Sequence, residues 1–189
     1  MSPLKWSIRA RMKIPAISIL FVIGLTSTSL SAAVIETAES GFTSRSSVEI
    51  NASANDVYNT LLQPGSWWNN DHTFSGNAEN MTLTAKIGGC LCEQLDQGGF
   101  VEHLHVAYVH PDKLLRLRGA LGPLQSLGVQ GSMTWSITPS ENNHAMVQFE
   151  YVVGGHSPDG LNIWADPVDF VVSEQLKRLK LLIEQGSVN

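Results

Sequence analysis

Between residues 78 and 153 the chain alternates hydrophobic and polar positions with a period of two. Met133, Trp135 and Ile137, for example, are separated by single threonine and serine residues. Successive side chains of a β-strand point to opposite faces of a sheet, so this pattern predicts strands with one buried face. Turn-forming residues such as Gly88-Gly89 separate the runs, which together predict six antiparallel strands joined as a meander.

Helical patterns flank these strands. Phe42–Ile50 predicts one more strand, and Ser53 then stands three residues before Asp56, as an N-cap does at the start of a helix. Pro64-Gly65 ends that helix, and Ser66-Trp67-Trp68 predicts a second short helix.

A long helix is predicted near the C-terminus, where Asp166 fits an N-cap and Pro167 fits the first turn. Its predicted buried face repeats every three or four positions. That face consists of Val168, Val171, Val172, Gln175, Leu176, Leu179, Leu182 and Ile183. The order of elements predicts an α+β fold of the helix-grip (START-like) kind. In this fold a curved seven-stranded antiparallel sheet is accompanied by two short helices and covered by the long C-terminal helix.

The N-terminus has the residue order of a secretory signal peptide. Residues 1–33 contain four basic side chains and no acidic ones, then the apolar run Ile14–Leu25, then small residues that end at Ala33. The apolar run is shorter than the roughly 20 residues that a membrane span needs, so we expect cleavage after Ala33 and no stable membrane span. The predicted boundaries are a signal peptide (1–33), a linker (34–41) and a single domain (42–189).

Charge narrows the range of partners. Loss of residues 1–33 would lower the formal net charge from −5 to −9, because four basic side chains leave with them. Nucleic acid is bound mainly through Lys and Arg, so we expect no nucleic-acid partner. Export, to the periplasm or outside the cell, would place Cys90 and Cys92 in an oxidising compartment where a disulfide can form.

Two stretches carry a family resemblance, "INASANDVYNTLLQPGSWW" (Ile50 to Trp68) and "IGGCLCEQLDQGGFVEHLHVAYVHPDKLLRL" (Ile87 to Leu117). They resemble the SRPBCC or START-like superfamily, especially the branch named after the activator of the heat-shock chaperone ATPase. The resemblance covers roughly residues 42–184. It implies a helix-grip fold, but the superfamily hosts binders, polyketide cyclase/dehydrase-like enzymes and chaperone helpers alike, so it does not specify the activity.

Strand pairing predicts which residues share a face. If residues 96–99 form a four-residue turn, Cys92 pairs with His103 and Cys90 with His105, on the face away from the long helix. These four side chains are candidate zinc or copper ligands. The alternatives are a disulfide between the cysteines, or half-exposed surface residues that hold no metal, which is the interpretation we favour.

The same pairing sets Glu93 directly opposite Glu102 on the inner face, among leucine and phenylalanine side chains. Repulsion and burial would both raise the pKa of at least one of these carboxyl groups. A protonated carboxyl group there could donate a hydrogen bond to a ligand or act as a general acid.

Aromatic residues on inner strand positions and helix ends complete the predicted site. The predicted ligand-binding residues are Trp68, Glu93, Glu102, Tyr108, Trp135, Phe149 and Trp164. The glycine-rich segments 119–131 and 154–164 predict loops through which an apolar ligand enters.

The sequence therefore predicts an exported protein that binds a small hydrophobic or amphipathic molecule between the sheet and the C-terminal helix. No cofactor is expected, and no nucleophile motif, phosphate loop or dinucleotide fingerprint is present. One alternative is a cyclase- or dehydratase-like enzyme that uses the inner carboxylates. The other is a protein-interaction module similar to the chaperone activators.

Overall fold

The computed structural model describes residues 31–188, which form one open antiparallel sheet of eight strands, a long C-terminal helix and several short helical segments. In chain order the strands are β1 (Ser31–Ala38), β2 (Gly41–Ile50), β3 (Met81–Leu83), β4 (Cys90–Gln94), β5 (Phe100–His110), β6 (Leu114–Gly119), β7 (Gly128–Pro139) and β8 (Ala145–His156). The two α-helices are α1 (Ala54–Leu61) and α2 (Asn162–Gln185). Short 3-10 turns occupy Pro64–Ser66, Asn70–His72, Ala78–Asn80, Asp96–Gly98, Gly122–Ser126 and Glu141–Asn143.

The strand order is β1-β2-β8-β7-β6-β5-β4-β3, so every neighbouring pair except β2 and β8 is also adjacent in the sequence. The β2–β8 pair runs without a register shift from Gly41 opposite Gly154 to Ile50 opposite Ala145. The predicted α+β antiparallel architecture and meander are thereby confirmed. None of the helices among residues 31–188 is long and apolar enough to cross a membrane.

The sheet has eight strands instead of the predicted seven, because β1 was not predicted. Its residues were assigned to the end of the signal peptide and to the linker 34–41, whereas Ser31–Ala38 pairs with β2. Most of the described β1 side chains are exposed, so this edge strand lacks the apolar alternation that marks a half-buried strand. The rest of the predicted signal peptide, residues 1–30, lies outside the described residues.

Helix α1 starts as predicted. The Ser53 hydroxyl accepts a hydrogen bond from the backbone N–H of Asp56 and donates one to the Asp56 carboxylate, at 3.1 and 2.7 Å. This arrangement satisfies a backbone donor at the helix N-terminus that would otherwise lack a partner. Val57, Tyr58 and Leu61 form its buried side.

Helix α2 begins at Asn162, four residues before the predicted cap at Asp166. The helix begins there because the buried Leu161 is held in place just before it. Leu161 N–H donates to the Glu39 carbonyl at 2.8 Å, and the Leu161 carbonyl accepts from Trp164 N–H at 3.0 Å. Pro167 consequently lies inside the helix, where it cannot donate to the carbonyl of the exposed Ile163.

Helix α2 packs on the β1–β2 side of the sheet. The Ser46 and Ser173 hydroxyls are both buried and lie 2.7 Å apart, and the Ser44 hydroxyl donates to Asp169 at 2.5 Å. Lys180 Nζ adds a bond to the Glu49 carbonyl at 2.6 Å. Because these polar pairs are directional, they fix how far the helix is shifted along β2.

Strand β5 contains two irregularities that change the predicted register. Leu91 pairs with Leu104 and Cys92 with Glu102, so that His103 is an extra residue on β5. A second shift lies between Val106 and Tyr108. The turns on either side contain five residues (95–99) and three residues (111–113), whereas the prediction assumed four in each. Each change in turn length moves the pairing by one residue, and each bulge moves it back.

Gly88 and Gly89 shape the turn between β3 and β4 in different ways. Gly88 has φ of +72° with open space around its Cα, whereas a Cβ on Gly89 would lie 1.8 Å from the Thr84 carbonyl oxygen. The Gly89 carbonyl also accepts a hydrogen bond from Val106 N–H at 2.8 Å, which ties this turn to β5.

We expect Gly89→Ala to lower the free energy of unfolding by ~2–3 kcal/mol, because the backbone must move to relieve the overlap. Gly88→Ala is the matched control and should cost only ~1 kcal/mol, the strain of a left-handed residue without a clash. Urea denaturation of both variants measures the difference. Equal losses would contradict this account of the turn.

Candidate functional site

A cavity of about 360 Å³ lies between the first half of α2, two loops and strand β5. Helix α2 contributes Trp164, Pro167, Val168, Val171 and Val172. The loop after β6 contributes Leu121, Gly122, Pro123 and Leu124, and the segment after α1 contributes Trp68 and residues 71–74. Among the described strand residues only His103 lines the cavity, so a mainly apolar wall surrounds one buried imidazole.

His103 is held by Glu93 on the neighbouring strand. Its Nε2 lies 2.9 Å from a carboxylate oxygen of Glu93, and both residues are at least 95% buried, with exposures of 5% and 1%. The five-residue turn and the bulge together allow this contact, because they set His103 on the inner face beside Leu104 instead of opposite Cys92 on the outer face. Glu93 itself lies behind the ring and is not part of the cavity wall.

The Glu93 carboxylate is satisfied by three donors. The backbone N–H groups of Phe74 and Ser75 donate to it at 3.1 and 2.5 Å, and His103 completes the set. Burial raises the pKa of Glu93, but these hydrogen bonds outweigh burial and hold the pKa below its ordinary value. Glu93 is therefore an ionised carboxylate at neutral pH. This differs from the raised pKa that the sequence predicted for an inner carboxyl pair.

His103 is a neutral imidazole at the same pH. Burial lowers its pKa below the ordinary value of 6.5, while the hydrogen bond and the negative charge of Glu93 act in the opposite direction without cancelling that effect. The Phe74 ring lies against the imidazole, with ring centroids 5.8 Å apart, and covers one side of it.

A second histidine–glutamate pair holds the segment after α1 against α2. His72 Nε2 lies 2.9 Å from the Glu174 carboxylate, to which Asn69 Nδ2 also donates at 2.7 Å. Asn69 N–H donates in addition to the Gln175 side chain at 2.9 Å. These contacts fix one wall of the cavity by polar bonds.

Tyr151 holds the opposite loop. Its hydroxyl donates to the Gly119 carbonyl at 3.1 Å and accepts from Leu121 N–H at 3.2 Å. Burial raises the pKa of Tyr151 to about 12, so the hydroxyl keeps its proton at neutral pH and acts as a fixed support of the loop.

The predicted aromatic site residues divide into two groups. Trp68 and Trp164 line the cavity, where their role in ligand binding stays a prediction. Trp135 and Phe149 lie in the core instead, with ring centroids 4.9 Å apart, and Trp67 packs against Trp135 at 6.0 Å. The inner face of the sheet is thus mainly packed core, and only its β5 end reaches open space.

Glu102 and Tyr108 lie on the outer face of the sheet, contrary to the predicted placement. Glu102 precedes the first bulge of β5 and pairs with Cys92. Tyr108 follows the second bulge and pairs with Arg116. Tyr108 is 50% exposed. Glu93 and Glu102 are therefore not opposed, and Glu93 has His103 as its partner.

The two cysteines form a disulfide, Cys90–Cys92, with Cα atoms 5.4 Å apart. The candidate metal set Cys90, Cys92, His103 and His105 is not formed, because His103 lies on the other face and both sulfur atoms are bonded. The Glu102 carboxylate lies within 4.8 Å of the two sulfurs, but a disulfide offers no thiolate to a metal.

The sequence interpretation missed His103 as an inner residue and missed the segment 71–74. The position of His103 depends on a bulge for which the sequence has no marker. The segment 71–74 has no helical or strand period, and its place follows from contacts distant in sequence, the bond from Phe74 N–H to Glu93 and the bond between His72 and Glu174. The predicted portal loops do contribute, through Leu121, Leu124 and Trp164.

Glu93→Gln should lower the free energy of unfolding at pH 7 by ~1–3 kcal/mol, because an amide cannot accept from all three buried donors. The pKa of Glu93 is lower in the folded than in the unfolded chain, so its contribution is fully present above about pH 4.5 and disappears as the pH falls through the folded pKa. The stability gap between wild type and variant should therefore narrow at acidic pH. Glu102→Gln, on the outer face, is the matched control and should cost less than ~0.5 kcal/mol.

No protein-family model matches the sequence, and no curated protein sequence is similar to it. Solved structures do resemble it. An uncharacterised protein from Rhizobium leguminosarum has 16% identity over 85% of this chain and 99% of its own, with a TM-score of 0.56. CalC, a self-sacrificing resistance protein from Micromonospora echinospora, has 17% identity over 76% of this chain and 94% of its own, with a TM-score of 0.52. DynU16, from the dynemicin biosynthetic locus, has 17% identity over 77% of this chain and 48% of its own, with a TM-score of 0.52. At these identities the similarity shows a shared fold.

Proposed function

We propose that the protein binds a small, largely apolar molecule in the cavity under α2, with one polar group of the ligand directed at His103. The observation that carries the proposal is an apolar cavity of about 360 Å³ built around a single buried imidazole. Ligand pockets typically measure ~300–1,000 Å³ and combine apolar walls with a few placed polar groups.

Apolar burial supplies the driving force and His103 supplies the orientation. Each CH₂ group that leaves water contributes ~0.8 kcal/mol, whereas one hydrogen bond contributes a net ~0.5–1.5 kcal/mol. A ligand is therefore retained by its apolar body. A ligand without a polar group at the right place would leave the imidazole unpaired, which favours ligands that carry one.

The structural neighbours support this proposal. CalC is described as a resistance protein, and DynU16 comes from a biosynthetic locus. The shared fold and the two stretches at residues 50–68 and 87–117 also support membership of the SRPBCC superfamily, which we propose for this chain. The enzyme alternative that relied on Glu93 and Glu102 as an inner acid–base pair is not retained, because Glu102 is on the outer face.

Binding is tested with N-phenyl-1-naphthylamine, a neutral fluorophore that brightens in apolar surroundings. We expect saturable binding at one site, and at least ~10-fold weaker binding to Val171→Trp, which fills the cavity with a larger side chain. Phe170→Trp is the matched control, because Phe170 directly precedes Val171 on α2 but is 68% exposed, and the affinity of this variant for the fluorophore should not change.

Thermal melts of both variants confirm that they are folded. Equal affinities for the two folded variants, or no saturable binding to the wild type, would overturn the proposed site. Native mass spectrometry of protein purified from its own host adds a direct search for a bound natural ligand.

Export is a separate proposal, supported by the residue order of positions 1–33 and by the disulfide between Cys90 and Cys92. Cleavage after Ala33 would shorten β1 but leave Val34–Ala38 to pair with β2. Mass spectrometry of the protein isolated from its host should therefore find an N-terminus at Val34. A chain that retains residue 1 would contradict export and restore the chaperone-activator alternative, whose partner is cytosolic.

A further inference from the structure

Glu93 and His103 form a hydrogen-bonded pair in which His103 lines the cavity. The backbone N–H groups of Phe74 and Ser75 donate to the Glu93 carboxylate, and the carboxylate lies 2.9 Å from His103 Nε2. The imidazole then forms part of the cavity wall. A carboxylate held by fixed donors thus orients a histidine ring toward the place where a ligand would lie.

The carboxylate also determines where the histidine proton is. An ionised carboxylate only accepts hydrogen bonds, so Nε2 carries the proton and Nδ1 of the neutral ring keeps its lone pair. Among residues 31–188 Nδ1 has no hydrogen-bond partner, and no side-chain nitrogen or oxygen sealed from solvent in this part of the chain lacks one. Nδ1 is therefore reachable from open space, and the open space beside this buried ring is the cavity.

Few other ionisable groups face this cavity. The lining residues of α2 and of the loop after β6 carry none, so Asp71 and His72 are the remaining titratable side chains of the described wall. His72 is already bound to Glu174. His103 is consequently the base best shielded from water, and Glu93 can stabilise the imidazolium that forms when Nδ1 takes up a proton.

We propose that His103 is a general base and that the cavity catalyses removal of a proton from carbon in a small, apolar ligand whose C–H group is acidified by a neighbouring electron-withdrawing group. Glu93 is the positioning residue of this pair. This inference rests on the proposed binding function and adds a reaction to it. The reaction needs no oxidant or second substrate, since Nδ1 takes the proton and returns it to the product or to water.

The probe is 5-nitrobenzisoxazole, a small aromatic carbon acid. Nδ1 takes the proton from its ring C–H, the electron pair of that bond completes a C≡N triple bond, and the N–O bond breaks to give a coloured 2-cyano-4-nitrophenolate. The proton then leaves His103 for water, so atoms and electrons balance.

We expect turnover above the buffer rate, and a loss of ~100-fold or more in kcat/KM for His103→Gln, the lower end of what a positioned base contributes. The glutamine amide can still donate to Glu93, so this variant should stay folded. His105→Gln is the matched control, two residues along the same strand on the outer face, with an exposed side chain, and should keep the wild-type rate.

The pH profile is the second measurement. Because the pKa of His103 lies below 6.5, kcat/KM should rise with pH, with its inflection below pH 6.5 and a plateau above the inflection. Retention of the wild-type rate by His103→Gln would overturn the proposal. So would disappearance of the inflection in the pH profile of His72→Gln, because His72 would then be the base. Saturable binding of N-phenyl-1-naphthylamine without turnover of the carbon acid would overturn it and leave the binding function in place. Absence of both would remove the two together.

Discussion

The register of β5, set by the five-residue turn before it and by the bulge at His103, is the feature on which the two faces of the sheet depend. With a four-residue turn and no bulge, His103 would point outward with Cys92, and Glu93 would face Glu102; the observed register instead combines a five-residue turn (95–99) with the bulge. With it, the inner face gains a neutral imidazole beside an ionised carboxylate, and the outer face keeps the disulfide. The five-residue turn and the extra residue in β5 together replace two opposed carboxylates, which would repel each other, with a pair whose members complement each other.

The walls of the cavity are fixed by polar bonds while its lining is apolar. His72 and Asn69 bind Glu174 on α2, and Tyr151 holds the loop that begins at Gly119. Asn69, Glu174 and Tyr151 lie behind the lining, and the side chain of His72, which does line the cavity, is bonded to Glu174. The walls can therefore be rigid while the lining stays mainly apolar. Rigid walls matter for a small ligand, because a binding site that is already formed does not have to be ordered when the ligand enters.

The parts of this structure that follow from local chemistry could be predicted from the sequence. Ser53 and Asp56 start α1 as expected, the period-two runs give β3 to β8, and the apolar stripe of α2 faces inward. The strand register, which depends on the exact number of residues in each turn, could not be predicted. Gln97 and Asp112 adopt left-handed conformations, with φ of +58° and +62°, in the turns 95–99 and 111–113. Neither turn contains the Asn-Gly or Asp-Gly dipeptide that marks a two-residue hairpin turn. A one-residue error there exchanges the two faces of a strand, which is why Glu102 and Tyr108 were placed inside.

Glu93 is also where the sequence pattern and the fold conflict most clearly. It occupies a fully buried strand position between Leu91 and the turn, where an apolar residue would avoid any cost of desolvation. The fold offsets that cost with the backbone donors of Phe74 and Ser75, and the segment that supplies them also lines the cavity. Natural sequences tend to break their own binary pattern at functional sites, where a buried charge is kept for what it does. Since the neighbour of this charge is the one residue of the strands within 31–188 that lines the cavity, the cost of burying Glu93 and the orientation of His103 have a single explanation.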